Sequence, residues 1–280
     1  MADAPPRPVL AALLLVGALG RPAFAESLQE LAFDDADRDV AFLALDLEDG
    51  TRWVVAPEEL DTPRTPWSTF KIPNLLIALD TGAAESLDHS IDWDPERRPA
   101  GAHWPDHWAQ RQTLASAFRR SALWFFQDLA RAIGGTVYRE RLIAFAYGNA
   151  NAPDGSDIFW LDGTLTISLR EQVRFLAALL RDELPVNPKA LAALREVARL
   201  DERGGHRLYG KTGAGPASPD DFDGPFRGWL VGWVERPERA PVVYALFVDG
   251  PDWDSIARFR REAAERLLTD TGAWPPSAGD

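Results

Sequence analysis

A serine and a lysine three residues apart, Ser68 and Lys71 in WSTFKIPN, could form a nucleophile and its base. Positions i and i+3 of a helix lie on one face, so the two side chains can meet. A serine hydroxyl needs a base to remove its proton, and a lysine amine among apolar residues can have a pKa low enough to serve. Unpaired backbone N–H groups at a helix start can also stabilise an oxyanion. The apolar neighbours are Trp67, Phe70, Ile72 and Leu75.

The same residues have a simpler interpretation, since a serine can cap a helix while the lysine extends into solvent. S-x-x-K alone does not decide between the two. Lysine usage favours chemistry, because only three of the 30 basic residues are lysines, at positions 71, 189 and 211. Arginine does not give up its proton in a protein, so a lysine kept in this arginine-rich chain can mark a site that needs a neutral amine. Lys189, in VNPKAL, is expected in an exposed first helical turn.

Three further short motifs follow S-x-x-K along the chain. SAL at 121–123 places a second hydroxyl inside an apolar helical stretch, and YGN at 147–149 places an amide at a turn. KTG at 211–213 places a cation, a hydroxyl and a glycine at the end of a strand. Each has an ordinary explanation, as a buried serine, a helix stop and a strand end. Their common occurrence in this order indicates one shared site.

This set of motifs resembles the superfamily of serine β-lactamases and penicillin-binding proteins. Within it, STFKIPN, YGN, FWLDGTLTIS and GWLVGW are similar to the class D β-lactamases, the oxacillinase type, over residues 42–268. The resemblance implies an α/β (α+β) fold of the β-lactamase/transpeptidase type. It also implies hydrolysis of the β-lactam amide of penicillin-type antibiotics.

The resemblance implies a role for four residues in catalysis. Ser68 would attack the β-lactam carbonyl and form an acyl-enzyme, and Ser121 would relay a proton toward the β-lactam nitrogen. Lys71 would react with carbon dioxide and act as an N-carboxylated general base, with no other cofactor. Carboxylation needs an uncharged amine, which burial favours, and the product anion must be hydrogen-bonded. The family uses a tryptophan N–H for this purpose, which corresponds to Trp160 in FWLDG.

A second group of residues is expected to bind substrate. Lys211, Thr212 and Gly213 of KTG resemble residues that line the cleft and face the substrate carboxylate. An arginine of the last helix commonly completes that site, and apolar spacing in ARFRREAAERLL favours Arg260 over its neighbours at 258 and 261. The backbone N–H groups of Ser68 and Ala214 would form the oxyanion hole.

Three positions modify the expected site. Leu123 ends the second motif where valine is more usual, so it is expected near the carboxylated lysine, with an effect on water access and deacylation. Ala214 stands where many relatives have an aromatic residue, which should open one wall. Trp108, in DHWAQRQTL, resembles an aromatic residue of the opposite wall, although one of 11 tryptophans can equally be a core residue.

The elements that must position these residues can be read from the apolar pattern. Residues 40–57 predict a β-hairpin, residues 68–80 a helix that ends at Gly82, and residues 88–112 a loop. Helices are expected over 113–148, 168–184 and 187–200, strands within 206–250, and a last helix over 254–269. Strands from both ends of the chain then form one antiparallel sheet, flanked by terminal helices, with an inserted helical region.

The N-terminal residues 1–25 predict a secretory signal peptide, with cleavage near Ala25, followed by a single domain over 26–280. The mature protein is thus expected to be exported to the periplasm without a membrane anchor. The chain has no cysteine, and a net charge of −13 without a basic block argues against nucleic acid as a partner. The expected partner is a small β-lactam. His103 and His107 are separated by Pro105, and no metal site is predicted.

Two other functions share parts of this pattern. A β-lactam-binding sensor would be acylated without turnover, and Leu123 is compatible with slow deacylation. A DD-peptidase acting on peptidoglycan would share S-x-x-K and KTG. YGN and FWLDG favour class D over the peptidase. Glu171, near the region where class A enzymes carry an acidic base, is expected on a helix surface.

Overall fold

The computed structural model describes residues 28–102, 104–219 and 221–276. The predicted signal peptide and its cleavage near Ala25 lie outside the described residues, as does His103. None of the helices in these ranges combines the length and the apolar character that a membrane crossing requires.

A central sheet organises the described part of the chain. The strands are β1 (Leu28–Glu30), β2 (Asp39–Asp46), β3 (Arg52–Val55), β4 (Ser90–Ile91), β5 (Gln112–Thr113), β6 (Arg199–Arg203), β7 (His206–Pro216), β8 (Phe226–Arg236) and β9 (Arg239–Gly250). Within the described ranges, seven of them form one sheet in the order β1–β3–β2–β9–β8–β7–β6, and β4 pairs with β5. The predicted hairpin is β2–β3, and β2 pairs with β9, so both ends of the chain meet in one sheet as predicted.

The sheet differs from the prediction at one edge, where β1 pairs with β3 in parallel, so the sheet is mixed. The remaining neighbours are antiparallel. The central strands are apolar on both faces because both faces are covered. On β2, Leu43 and Leu45 belong to the apolar cluster that includes the inserted helices, whereas Phe42 and Ala44 belong to the cluster under the last helix.

The helices are α1 (Lys71–Thr81), α2 (Leu114–Arg120), α3 (Leu123–Ile133), α4 (Gly135–Ala144), α5 (Leu169–Leu180), α6 (Pro188–Ala198), α7 (Trp253–Ala257) and α8 (Phe259–Asp270). Short 3-10 helices span Pro57–Glu59, Trp67–Phe70 and Asp106–Trp108. Helices α1 to α6 lie between β3 and β6 in the chain, which confirms the inserted helical region. Capping boxes begin α2 at Thr113 and α5 at Ser168. Glu171 belongs to the second box and lies partly exposed in the first turn of α5, on a helix as predicted.

Four local predictions were wrong. Ser121 does not lie inside a helix but between α2 and α3, with a left-handed backbone (φ 57°) that ends α2. The KTG motif lies in the interior of β7, not at a strand end, because β8 continues to pair with it as far as Pro216. The helix predicted to Leu200 ends at Ala198, and β6 takes the following residues by pairing with β7. The last helix is divided at Arg258 into α7 and α8.

Candidate active site

The structure brings Ser68 and Lys71 into direct contact. Ser68 lies in the 3-10 turn that leads into α1, and Lys71 is the first residue of that helix. Lys71 Nζ donates a hydrogen bond of 2.9 Å to Ser68 Oγ. The Lys71 side chain is 1% exposed, and this burial lowers its pKa from 10.5 to about 7. Ser68 is partly exposed, so a substrate can reach the hydroxyl whose neighbour is a readily deprotonated amine.

The turn that carries Ser68 is held against β7 by two glycines of that strand. A Cβ at Gly213 would lie 2.6 Å from the Pro66 carbonyl oxygen, and a Cβ at Gly215 would lie 2.2 Å from Trp67 Nε1. Trp67 is buried and adopts a positive φ of 44°, which a bulky residue rarely does. The close approach of β7 therefore fixes the backbone on both sides of the serine.

A second hydroxyl–amine pair lies opposite the first. Lys211 Nζ donates to Ser121 Oγ at 2.5 Å and to the Thr212 carbonyl oxygen at 3.0 Å. The turn between α2 and α3 places Ser121 there, since its left-handed backbone reverses the chain toward β7. Lys211 is buried, and burial together with the nearby charges of Lys71 and Arg260 lowers its pKa well below the usual value. A proton can move through this pair, because the Ser121 hydroxyl contacts an ammonium group that gives up its proton readily.

Arg260 is the arginine of the last helix that reaches KTG. Its Nη1 donates to the Gly213 carbonyl oxygen at 2.9 Å, and its Nε donates to the Ile256 carbonyl oxygen at 3.1 Å. The side chain is buried, which lowers its pKa from 12.5 to about 10. Arg258 is exposed, and Arg261 is exposed and pairs with Asp201 and Glu265.

The surroundings of Lys71 are aromatic, and the indole N–H of Trp160 is among the buried polar groups there that lack a partner in the described residues. The Phe126 ring of α3 lies 5.2 Å from Lys71 Nζ, and Phe70 stacks on Trp160 at 5.3 Å between ring centroids. Trp160 is fully buried, and its Nε1 has no hydrogen-bond partner in the described part of the chain. A buried N–H without an acceptor costs free energy. A bound or covalent group beside Trp160 could supply the missing acceptor. An N-carboxylated Lys71 fits this requirement.

The YGN motif supports the Trp160 segment. Asn149 Nδ2 donates to the Thr164 carbonyl oxygen at 3.0 Å, and its Oδ1 accepts from the Thr166 backbone at 3.2 Å. Tyr147 is buried against Phe70. These contacts connect the turn after α4 with the chain that follows Trp160, so the amide positions this segment.

The remaining predicted residues, Trp108, Leu123 and Ala214, pack against two different apolar clusters. Trp108 is half-buried, donates from Nε1 to the Arg120 carbonyl oxygen at 2.8 Å and accepts from Trp124 at its own carbonyl, so it packs on both helices beside Ser121. Leu123 is half-buried at the start of α3. Ala214 packs against the apolar cluster under α7 and α8, so its predicted effect on a wall of the cleft stays a prediction.

Sequence reasoning missed Phe126 and the packing of β7 on the serine turn. Phe126 follows Leu123 by three residues, so helical spacing alone would have placed it on the same face. The contacts of Gly213 and Gly215 join segments about 150 residues apart, and only glycine's lack of a side chain hinted at a close approach.

Comparison with known proteins agrees with this geometry. Residues 48–269 match the penicillin binding protein transpeptidase domain. The chain is 36% identical to β-lactamase OXA-20 of Pseudomonas aeruginosa over 213 residues, 76% of this chain and 74% of OXA-20. It is 33% identical to the probable β-lactamase YbxI of Bacillus subtilis, over 76% of this chain and 75% of YbxI.

Solved structures show the same fold. The class D β-lactamase YbXI from Nostoc superimposes with a TM-score of 0.76 at 29% identity, over 84% of this chain and 94% of that one. The C-terminal domain of the Bacillus licheniformis BlaR penicillin receptor superimposes with a TM-score of 0.79 at 27% identity, over 90% and 99%. With the transpeptidase-domain match and the 36% identity to OXA-20, these likenesses show that the chain belongs to the class D serine β-lactamases.

Proposed function

We propose that the protein hydrolyses penicillin-type β-lactams through an acyl-enzyme on Ser68. The observation that carries the proposal is the 2.9 Å hydrogen bond from Lys71 Nζ to Ser68 Oγ, made by an amine whose burial lowers its pKa to about 7. A serine activated by an adjacent buried base is the arrangement that nucleophilic acyl transfer requires. The similarity to named β-lactamases supports a β-lactam as the acyl donor.

In acylation, the Ser68 proton passes to the Lys71 side chain while Oγ attacks the β-lactam carbonyl carbon. The backbone N–H groups of Ser68 and Ala214 stabilise the oxyanion. As the ring C–N bond breaks, the proton taken from Ser68 passes from the Lys71 side chain through Ser121 to the ring nitrogen, which frees the base again; Lys211 contacts Ser121 at 2.5 Å. Water then attacks the ester, the same base takes its proton, and Ser68 Oγ leaves with a proton.

Lys71 is proposed to work as its N-carboxylated form. An uncharged amine combines with carbon dioxide and releases one proton, and the pKa of about 7 makes that amine available near neutral pH. When present, the carboxyl group supplies an anionic base. Trp160 would hold it, because its buried Nε1 is without an acceptor in the described residues.

The substrate carboxylate is proposed to bind at Arg260, Lys211 and Thr212. Arg260 donates to carbonyl oxygens and not to carboxylates within the described ranges, so its charge is available to an anionic ligand. Gly213 keeps β7 close to the turn that carries Ser68. The half-buried Trp108 would border the substrate site from the side of Ser121. Export to the periplasm after removal of residues 1–25 remains part of the proposal.

Nitrocefin turnover by the mature protein, with and without added bicarbonate, tests the proposal. We expect turnover that rises with bicarbonate and disappears in Ser68→Ala. Full turnover in Ser68→Ala would refute the acyl-enzyme. Turnover of the parent protein that is unaffected when carbon dioxide is first removed and then restored would refute the carboxylated base.

The likeness to the BlaR penicillin receptor domain favours a second candidate, a β-lactam sensor that stays acylated. Leu123, half-buried at the start of α3, would then restrict the deacylating water. Intact mass spectrometry separates the two functions. A stoichiometric adduct that persists for hours with one burst of product supports the sensor, whereas steady turnover with a short-lived adduct supports the hydrolase.

A further inference from the structure

Three charged side chains outside the residues discussed so far form a largely buried ion network: Arg98, Asp128 and Asp157. Two exposed arginines, Arg97 and Arg131, contact the aspartates of this network. Arg98 Nη2 lies 3.0 Å from Asp128 Oδ1 and 2.9 Å from Asp157 Oδ2. Arg131 Nε lies 2.8 Å from the same oxygen of Asp157. The side chains of Arg98 and the two aspartates are 9% to 13% exposed. Charges withdrawn from water to this degree are tolerated when they are paired, so each partner is needed.

The network joins three segments that are separate in the chain. Arg98 belongs to the segment after β4, where Trp93 Nε1 donates to its carbonyl oxygen at 2.8 Å. Asp128 and Arg131 lie on α3. Asp157 lies in the segment that leads to the buried Trp160. Through its two arginines, Asp157 therefore ties that segment to α3.

Both segments that Asp157 joins, α3 and the chain leading to Trp160, also reach the surroundings of Lys71. On α3, the Phe126 ring lies 5.2 Å from Lys71 Nζ. On the other side, Trp160 follows Asp157 by three residues and stacks on Phe70, the residue before Lys71. The position of the Trp160 indole relative to the lysine thus depends on how the Asp157 segment is held against α3.

The same segment contains an ion pair that makes a matched comparison. Asp154 Oδ2 lies 3.1 Å from Arg139 Nη2, with side chains 66% and 36% exposed. Exposed pairs of this kind contribute little because water and salt screen them. Asp154 and Asp157 are only three residues apart, so they differ mainly in burial and in their ion-pair partners.

We propose that Asp157 is a positioning residue for Trp160 and thereby sets how tightly Lys71 holds carbon dioxide. The inference rests on the proposed function, since it requires a carboxylated Lys71. In that reaction, the amine lone pair forms a bond to the carbon of carbon dioxide, and one N–H proton leaves to water. The Trp160 N–H can stabilise the resulting anion only if the indole is held in place.

The test is a titration of the full mature protein with ¹³C-labelled bicarbonate, in which NMR measures the carbamate carbon. The variants are Asp157→Asn, Asp128→Asn and Asp154→Asn, each with a melting temperature. Contacts that orient a binding group commonly change affinity by about tenfold or more, so we expect Asp157→Asn to need about ten times more bicarbonate. Asp154→Asn should match the parent protein. Asp128→Asn also deprives Arg98 of a partner and should lower the melting temperature similarly, yet it should keep the carbamate because Asp157 retains its contacts with Arg98 and Arg131.

Two results would overturn the role of Asp157. One is the same carbamate affinity in Asp157→Asn and the parent protein. The other is an equal loss of affinity in Asp157→Asn and Asp128→Asn, which would indicate general destabilisation and not positioning. Absence of a carbamate signal in the parent protein at saturating bicarbonate would overturn the proposed base, and this inference with it. That outcome is distinct because the parent itself then gives no signal.

Discussion

Lys71→Met should abolish turnover and at the same time stabilise the folded protein. The Lys71 side chain is 1% exposed, and its pKa falls from 10.5 to about 7 in the folded state. In the unfolded chain Lys71 is protonated at neutral pH. Folding must therefore either remove that proton or bury the charged ammonium group, and both cost free energy. At about 1.4 kcal/mol for each pKa unit, the cost is roughly 4 kcal/mol at pH 7. Methionine fills a similar volume and loses one hydrogen bond worth about 1 kcal/mol, which leaves a gain of about 3 kcal/mol.

The pH dependence gives the sharper test. The folded pKa lies below the unfolded pKa, so the cost of Lys71 is complete below about pH 7 and decreases as the pH rises toward 10.5. The difference in unfolding free energy between Lys71→Met and the parent protein should accordingly shrink by about 2 kcal/mol between roughly pH 7.5 and 9. Other titrating groups are common to both proteins, so most of their contribution cancels in the difference.

Urea unfolding in buffer free of carbon dioxide measures this difference, because carboxylation would itself remove the positive charge. Lys189→Met is the matched control, since Lys189 is an exposed lysine and its replacement should change stability little at any pH. A Lys71→Met variant less stable than the parent at pH 7.5, or a difference that stays constant up to pH 9, would show that Lys71 is not held as a readily deprotonated amine.

Three further changes test other parts of the site. Trp160→Phe keeps a buried ring but deletes the N–H, so the bicarbonate needed for half-maximal nitrocefin turnover should rise about tenfold; an unchanged requirement would exclude the indole as the carbamate donor. Arg260→Ala should raise KM for carboxylate-bearing β-lactams by about tenfold or more, because a charge-assisted contact is lost, while leaving an esterified substrate unaffected. Gly213→Ala places a Cβ 2.6 Å from the Pro66 carbonyl oxygen and 3.0 Å from the Thr69 nitrogen. It should cost about 1–3 kcal/mol of stability in thermal melts and slow acylation, and normal burst kinetics would contradict that.

The local part of the site could be predicted from the sequence because it depends on regular spacing. Ser68 and Lys71 meet since i and i+3 share a helix face, and the segments of β8 and β9 are alternating or apolar runs of strand length. The backbone of Ser121 could not be predicted in this way. Its left-handed conformation is unusual for serine and accompanies a tertiary contact with Lys211 on a distant strand, which local sequence does not show.

The assignment of Trp160 came from resemblance to a family, and no spacing rule pairs it with Lys71. Two other buried indoles, those of Trp233 and Trp274, also lack an acceptor in the described residues. What supports the assignment of Trp160 is therefore its stacking on Phe70, the residue before Lys71. Asp157 shows the opposite case. Its residue type suggests an exposed loop, whereas its side chain is 13% exposed and contacts two arginines from separate segments, and such a pairing cannot be read from local sequence.

The electrostatic character of the site links these predictions. Lys71, Lys211 and Arg260 are all buried, and in the described part of the chain their hydrogen-bond partners are hydroxyl and carbonyl oxygens, without a carboxylate. Such charges destabilise the folded state unless an anion joins them. This protein has 43 acidic residues and a net charge of −13, yet it leaves this pocket positive.

The two anions of the proposed reaction would each relieve part of that cost. A carbamate replaces the charge of Lys71, and the substrate carboxylate offers a partner to Arg260 and Lys211. Lys71→Met imitates the first effect by removing the charge, and an esterified substrate withholds the second. If the pocket is destabilised by unpaired cations, binding of a carboxylate-bearing β-lactam to Ser68→Ala should raise its melting temperature, whereas the ester should not. Equal shifts with both ligands would mean that the buried cations are not what recognises the substrate.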